Sequence, residues 1–270
     1  MPARMLDGQV ALVTGAGRGL GRAFAERLAA LGCAIAVHGM RETGPSEYGG
    51  AQTLSDVSRA IGELHNVRTI KILGDLTRME DIERTVSTAT AELGPIDILV
   101  HNAGGDIAAA GGKPDPNDVV HIKEEDVRAV IDRNLFSTIF VCQRVARDMM
   151  QRRRGRIVTI GSVAAFKGRT NGSIYATAKA GALHFTRCLA DQMRPYDVTV
   201  NAIAPGDTRT ERFIATRRVD PERLAEGGTL DRIATVDEVA RVVEFFAGPM
   251  GAFVSGQVIR VDGGGQAWPA

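Results

Sequence analysis

The 270-residue chain is short of the features that mark several large classes of protein. Its three cysteines, Cys33, Cys142 and Cys188, are an odd number without a CxxC pair, which argues against a disulfide framework or a zinc knuckle. Each lies in an apolar segment, where a reduced cysteine serves as a small hydrophobe. No apolar run approaches the roughly 18 residues that span a bilayer. Residues 1–8 lack the basic-then-apolar order of a secretory signal, so a cytoplasmic chain without a membrane partner is expected. The five histidines show no HxxxH or HExxH spacing and the carboxylates no calcium-loop pattern, so no metal site is expected. There is no GxSxG elbow, which disfavours hydrolase chemistry.

Charge of one sign is also missing. With 33 Lys and Arg against 32 Asp and Glu, the net charge of +1 gives no global field to attract nucleic acid. The densest basic run, Arg152-Arg153-Arg154 with Arg156, closes a helical pattern, where cations favour the negative end of the helix dipole. No aromatic stacking residues accompany it, and nucleic acid is not expected as a partner.

What is present is an average globular composition, 44% hydrophobic and 24% charged. Short β-branched runs at 9–14, 34–37, 69–73, 96–101, 156–160, 199–203 and 258–261 alternate with helical patterns at 19–31, 79–93, 126–152, 174–193 and 236–246. This alternation predicts an α/β, doubly wound parallel sheet of about seven strands in a single domain, 1–270, with both faces covered. Two long loops, 104–122 and 206–230, leave the carboxyl ends of the fourth and sixth strands. Open α/β sheets bind ligands at that edge, so these loops are the expected walls of a substrate pocket.

The first strand runs into Thr14-Gly15-Ala16-Gly17-Arg18-Gly19-Leu20-Gly21, a GxxxGxG turn rather than GxGxxG, and a helical pattern follows at once. Glycines here would let the backbone approach a pyrophosphate at a helix N-terminus, although tight βα turns also use glycine for backbone reasons alone. Gly74-Asp75-Leu76 and His101-Asn102-Ala103-Gly104 end the third and fourth strands at the same edge. Asp75 could accept a hydrogen bond from an adenine amino group, or serve as a cap or turn residue. Ser162 follows the fifth strand, and Tyr175 and Lys179 share a helix face. A phenol, with a pKa of about 10, is a poor base unless a nearby ammonium favours its ionised form. A serine hydroxyl could hold a substrate oxygen beside it while hydride moves at carbon. YxxxK carries little weight alone, because Tyr and Lys often snorkel over a surface; the upstream serine and the glycine-rich turn, in the right order, supply it.

With TGAGRGLG, GDL, HNAG, DRNL, YATAK, NAIAPG and SGQVIRVDGG in order over about residues 9–264, the sequence resembles the classical short-chain dehydrogenase/reductase family, including its 3-oxoacyl-carrier-protein reductase-like members. The resemblance implies a Rossmann-type fold and hydride transfer between a nicotinamide dinucleotide and a ketone or secondary alcohol. It implies a catalytic set of Asn134, Ser162, Tyr175 and Lys179, with Tyr175 as acid/base and Asn134 holding a water that links Lys179 to solvent. Cofactor contacts are expected from Gly15, Arg18, Gly19, Leu20, Gly21, Arg41, Asp75, Leu76, Asn102, Ala103, Gly104, Tyr175, Lys179, Pro205, Gly206 and Thr208, with Thr208 or Thr210 near the carboxamide. His101 stands where Asn is commoner, and Gly161 where another Ser is frequent. A homotetramer or dimer through the helices at 126–152 and 174–193 is implied, and the tail with Trp268 packs on a neighbour or on its own chain.

By the same resemblance, the acidic residue that selects NAD falls on Gly39, which cannot repel a phosphate, while Arg18 and Arg41 could pair with one. NADP(H) is therefore favoured over NAD(H), with Glu42 as an acidic selector if the turn bends differently. Candidate substrates are a 3-oxoacyl thioester or a sugar, polyol or cyclic alcohol; Lys113, Lys167, Arg169, Arg209 and Arg212 would also suit an acidic one. The rival reading is a catalytically idle nicotinamide-binding sensor or scaffold, since a fold alone does not establish function.

Overall fold

In the computed structural model, which describes residues 4–49, 52–224 and 227–267, the apolar runs form seven strands. These are β1 (Val10–Thr14), β2 (Ala34–Gly39), β3 (Thr69–Leu73), β4 (Ile98–His101), β5 (Gly155–Ile160), β6 (Val198–Pro205) and β7 (Val258–Val261). They lie in the order β3-β2-β1-β4-β5-β6-β7, every pair parallel. The winding reverses between β1 and β4, and such a switch point opens a crevice at the carboxyl ends of the strands. Thr14 is in register with His101, so the glycine-rich turn and Asn102-Ala103-Gly104 leave the sheet side by side.

Helices cover both faces. On one, α1 (Gly19–Ala30), α2 (Leu54–His65) and α8 (Val236–Ala247) pack Phe24, Leu28, Val57, Ile61, Val243 and Phe246 against Ala11, Val13, Ile35 and Val100. On the other, α3 (Met79–Leu93), α5 (Ser137–Arg152) and α6 (Ser173–Met193) pack Ile82, Val145, Met149 and Met193 against Val10, Leu12 and Leu99. Successive strand residues point to opposite faces, so burial on both sides requires an unbroken apolar run.

Several elements differ from expectation. Helix α2 is additional, and starts at a capping box formed by Thr53 and Asp56. Strand β4 starts at Ile98 because the Asp97 carboxylate accepts from the Val10 N–H (3.1 Å) and pairs with Arg152 (3.2 Å) and Arg154 (3.4 Å). The basic run is thus tied to the sheet edge where α5 ends. The helix expected at 126–152 is three segments, α4 (Glu124–Ile131), a π turn (Asp132–Phe136) and α5. The 206–230 loop contains a short helix, α7 (Glu211–Thr216), capped by Thr210 Oγ1, which accepts from the Phe213 N–H (3.2 Å). Cys33 and Cys142 are buried, but Cys188 is exposed and is not the core hydrophobe expected. Gln266 donates to Val163 O (3.0 Å) of its own chain; Trp268 lies outside the described residues.

Candidate active site

The carboxyl end of β1 enters the glycine-rich turn with its polar groups engaged. Thr14 Oγ1 accepts from the backbone N–H groups of Asn102 and Ala103 (both 3.0 Å), which directs its own proton to His101 Nδ1 (3.2 Å). His101 therefore carries its proton on Nε2, facing Ser137 Oγ (3.4 Å), and Ser137 donates to Arg133 O (2.7 Å). On the other side, His38 Nδ1 accepts from the Gly15 N–H (3.3 Å) and Nε2 donates to Gly74 O (3.1 Å). Burial holds both imidazoles neutral, pushing His38 down to about 4 and His101 to about 3. Sequence reasoning gave neither a role, since isolated histidines carry no spacing signal. Asn102 Nδ2 donates to Thr14 O (3.3 Å) and Gly15 O (3.1 Å), so its amide protons hold the turn itself.

A Cβ on Gly21 would overlap Gly15 O, so only glycine lets α1 start this close to the turn. No side chain caps α1 and its first turn has no acidic residue. The N–H groups around Gly19, Leu20 and Gly21 thus have no side-chain cap, the arrangement in which a helix start can receive an anion. A dinucleotide pyrophosphate fits this cradle. Asp75 behaves as a turn residue, Oδ1 accepting from Thr77 N (3.0 Å) and Thr77 Oγ1 (2.8 Å), and Leu76 is buried beside it.

The two arginines offered to a 2′-phosphate converge on one carboxylate of the same chain. Arg18 pairs with Glu47 (2.9 Å), donates to Gly44 O (2.5 Å), and stacks 4.5 Å from the Tyr48 ring centroid. Arg41 reaches the same Glu47 at 3.8 Å. Glu42 turns instead toward α2 and β3, accepting from Lys71 Nζ (2.8 Å), Ser55 Oγ (2.6 Å) and the Ser55 N–H (3.0 Å). These bonds, Lys71 foremost, hold its carboxyl at about 2. At the end of β2, a Cβ on Gly39 would press on a Leu54 methyl at 3.0 Å.

Ser162, Tyr175 and Lys179 meet at the carboxyl end of β5. Ser162 opens a short 3₁₀ turn, its Oγ accepting from the Ala164 N–H (3.1 Å). Lys179, 4% exposed, donates to Ile160 O (2.7 Å), and its Nζ lies 5.8 Å from the Tyr175 ring centroid. Burial lowers Lys179 to about 8. Burial also raises Tyr175, opposed by a hydrogen bond with Ser162, reinforced by Asp106 and opposed again by Arg212 and Arg217. In the absence of a nicotinamide's positive charge, the balance therefore favours a phenol beside an ammonium.

Asn134, fully buried in the π turn, completes the group. Its Oδ1 accepts from the Gly105 N–H, and its Nδ2 donates to Gly105 O and Val130 O, all at 2.8 Å. Gly104 sits between Asn134 and Lys179, at a φ of +149°. A Cβ there would lie 2.7 Å from Asn134 Oδ1 and 3.4 Å from Lys179 Nζ, so this junction admits only glycine.

Residues 9–220 match the model of the short chain dehydrogenase family. The chain belongs to the short chain dehydrogenases. This short chain dehydrogenase is 36% identical over 274 residues to the cyclohexanol dehydrogenase of Rhodococcus sp. (strain TK6), with 96% of each chain covered. It is also 36% identical over 258 residues to the 3-oxoacyl-[acyl-carrier-protein] reductase of Escherichia coli (strain K12), covering 96% of this chain and 97% of that one. Among solved structures, a 7α-hydroxysteroid dehydrogenase complexed with NADH and 7-oxo glycochenodeoxycholic acid superposes with a TM-score of 0.81 at 29% identity, covering 97% and 96%. The family makes the chain an NAD(P)-dependent oxidoreductase acting on CH–OH or C=O groups.

In this dehydrogenase the two long loops are joined to each other. Arg212 of α7 donates to Asp106 O (3.0 Å), joining 206–230 to 104–122. A Cβ on Gly19 would lie 3.3 Å from Thr210 Cγ2, so the same segment borders the glycine-rich turn. Pro205 ends β6, the Gly206 N–H bonds Val261 O (2.9 Å), and buried Thr208 donates to Gly206 O (3.1 Å). Among the described residues no cluster of three His, Cys, Asp or Glu is placed to hold a metal ion, and no helix is long and apolar enough to cross a membrane.

Proposed function

We propose that this enzyme moves hydride between NADP(H) and a ketone or secondary alcohol, with Tyr175 as its acid/base. The observation that carries the reading is the junction at Gly104. There Asn134 and Lys179 flank Gly104, and Lys179 leads on to Tyr175 and Ser162, beside a helix start with no side-chain cap of its own. A nicotinamide bound in this crevice would supply or accept the hydride. Tyr175 gives its proton to the substrate oxygen in reduction and recovers it in oxidation, while Ser162 Oγ holds that oxygen. The Lys179 ammonium stabilises the phenolate left behind, and its remaining donors would be available to hold a nicotinamide ribose. Asn134 fixes Gly105, and its second Oδ1 lone pair holds the water that links Lys179 to solvent. Pro205, Gly206 and Thr208 would wall the nicotinamide side.

Three features favour NADP(H) over NAD(H). Gly39 offers no carboxylate, Glu42 is engaged by Ser55 and Lys71, and Arg18 and Arg41 converge on one anion position. The partners in this reading are a small-molecule substrate and further copies of the chain, a homotetramer or dimer in the cytoplasm, with no nucleic acid or membrane. The test is kcat/KM with NADPH and NADH against ketones, 3-oxoacyl thioesters, sugars, polyols and cyclic alcohols, followed by absorbance of the reduced nicotinamide. A tenfold preference for NADH contradicts the cofactor choice. Silence across the panel, from a protein that still binds nicotinamide, favours the idle sensor.

A further inference from the structure

Beside the phenol lies a cluster of polar side chains that the reaction above does not use. Asp106 Oδ2 accepts from Asn117 Nδ2 (2.8 Å), and Asn117 O accepts from the Gly172 N–H (3.0 Å). Ser173 follows at the start of α6, two residues before Tyr175. Asp106 Oδ1, Asn117 Oδ1 and Ser173 Oγ are closed off from solvent and have no hydrogen-bond partner. Only Nδ2 of Asn117 can face the Asp106 carboxylate, so the unpartnered atom of Asn117 is an acceptor. Asp106 follows Gly105, which Asn134 clamps, and Ser173 opens the helix that carries Tyr175, so two acceptors and one hydroxyl lie without partners between those two segments. Buried acceptors without donors cost stability and mark places where a ligand completes the bonding.

We propose that the substrate is a polyhydroxylated alcohol or ketone, a polyol or sugar, whose hydroxyls next to the reacting carbon donate to Asp106 and Asn117 and meet Ser173. This rests on hydride transfer at Tyr175. A 3-oxoacyl thioester presents only acceptors around its reacting carbon, and a simple cyclic alcohol has no second hydroxyl. Either would leave Asp106 Oδ1 and Asn117 Oδ1 dry and unpaired. An ammonium-bearing substrate is disfavoured because Arg212, bonded to Asp106 O, and Arg217 already place positive charge around the phenol. Two such unmade bonds correspond to a preference of about a hundredfold or more.

The test compares kcat/KM for cis-1,2-cyclohexanediol and a hexitol with cyclohexanol, using NADP, and with a 3-oxoacyl thioester, using NADPH. The expected result is at least a hundredfold in favour of the hydroxylated substrates. Ser173→Ala removes only an unpartnered hydroxyl, so its thermal unfolding temperature should hold or rise while the preference narrows about tenfold; Asp106→Ala should narrow it further. Cyclohexanol or thioester turned over as efficiently as the polyols, or both variants slowing all substrates alike, overturns the substrate class and leaves hydride transfer standing. No turnover of any alcohol or ketone overturns both.

Discussion

Lys179 sets the expected pH response. Its ammonium, lowered by burial to about 8, is charged below that pH and neutral above it. The phenolate formed at Tyr175 therefore loses its counter-charge as pH rises through about 8, and kcat/KM for ketone reduction should fall above that point. Lys179→Arg should move the fall upward by at least about one pH unit, and a wild-type profile flat to pH 10 would exclude this role. Glu47 makes a second point at this scale. Glu47→Gln should free Arg18 and Arg41 and lower KM for NADPH about two- to fivefold, the worth of a partly exposed ion pair. An equal change for NADH would show that Glu47 does not face the 2′-phosphate position. Tyr175, Lys179 and Ser162 are legible in the sequence because a helical turn and a strand end fix their spacing. Glu47 is not, because nothing in a loop sequence says which carboxylate two arginines will reach.

The π turn and the 104–122 loop act as one element through Asn134. Asn134→Ala would leave the Gly105 N–H and Gly105 O without their side-chain partner in a part-buried place, an expected loss of about 1–3 kcal/mol in thermal unfolding, with faster amide exchange across 104–122. Unchanged stability would mean that the clamp does not hold the loop. The strands and their parallel order follow from sequence because burial on both faces demands continuous apolar runs. Helix α2 escapes notice, although Thr53 and Asp56 cap it and Leu54, Val57 and Ile61 line its buried face, because its serines and Gly62 weaken the helical signal. The π turn at 132–136 is hidden because the apolar periodicity on either side of it continues.

At the scale of the molecule, His38 and His101 tie the glycine-rich turn to β3 and to the π turn, and both are neutral in the fold. Their folded pKa values, about 4 and about 3, lie below the ordinary 6.5. As pH falls below about 6.5 the unfolded chain binds protons that the folded chain refuses, so stability is lost down to about pH 3 to 4, on the order of 3 kcal/mol for His38 and on the order of 5 kcal/mol for His101. Acid unfolding should set in across this window, and His38→Asn or His101→Asn should shift its midpoint to lower pH; an unmoved midpoint would contradict the linkage. No sequence spacing reveals this pair, nor the grouping of Asp106, Asn117 and Ser173, because the winding of the sheet brings each together. The central claim, that Tyr175 passes the proton, has a direct test in reduced-nicotinamide absorbance with wild type and Tyr175→Phe at matched cofactor saturation. The expected result is a loss of kcat of about 10²- to 10⁴-fold with nicotinamide binding retained; turnover within a few-fold of wild type would contradict it.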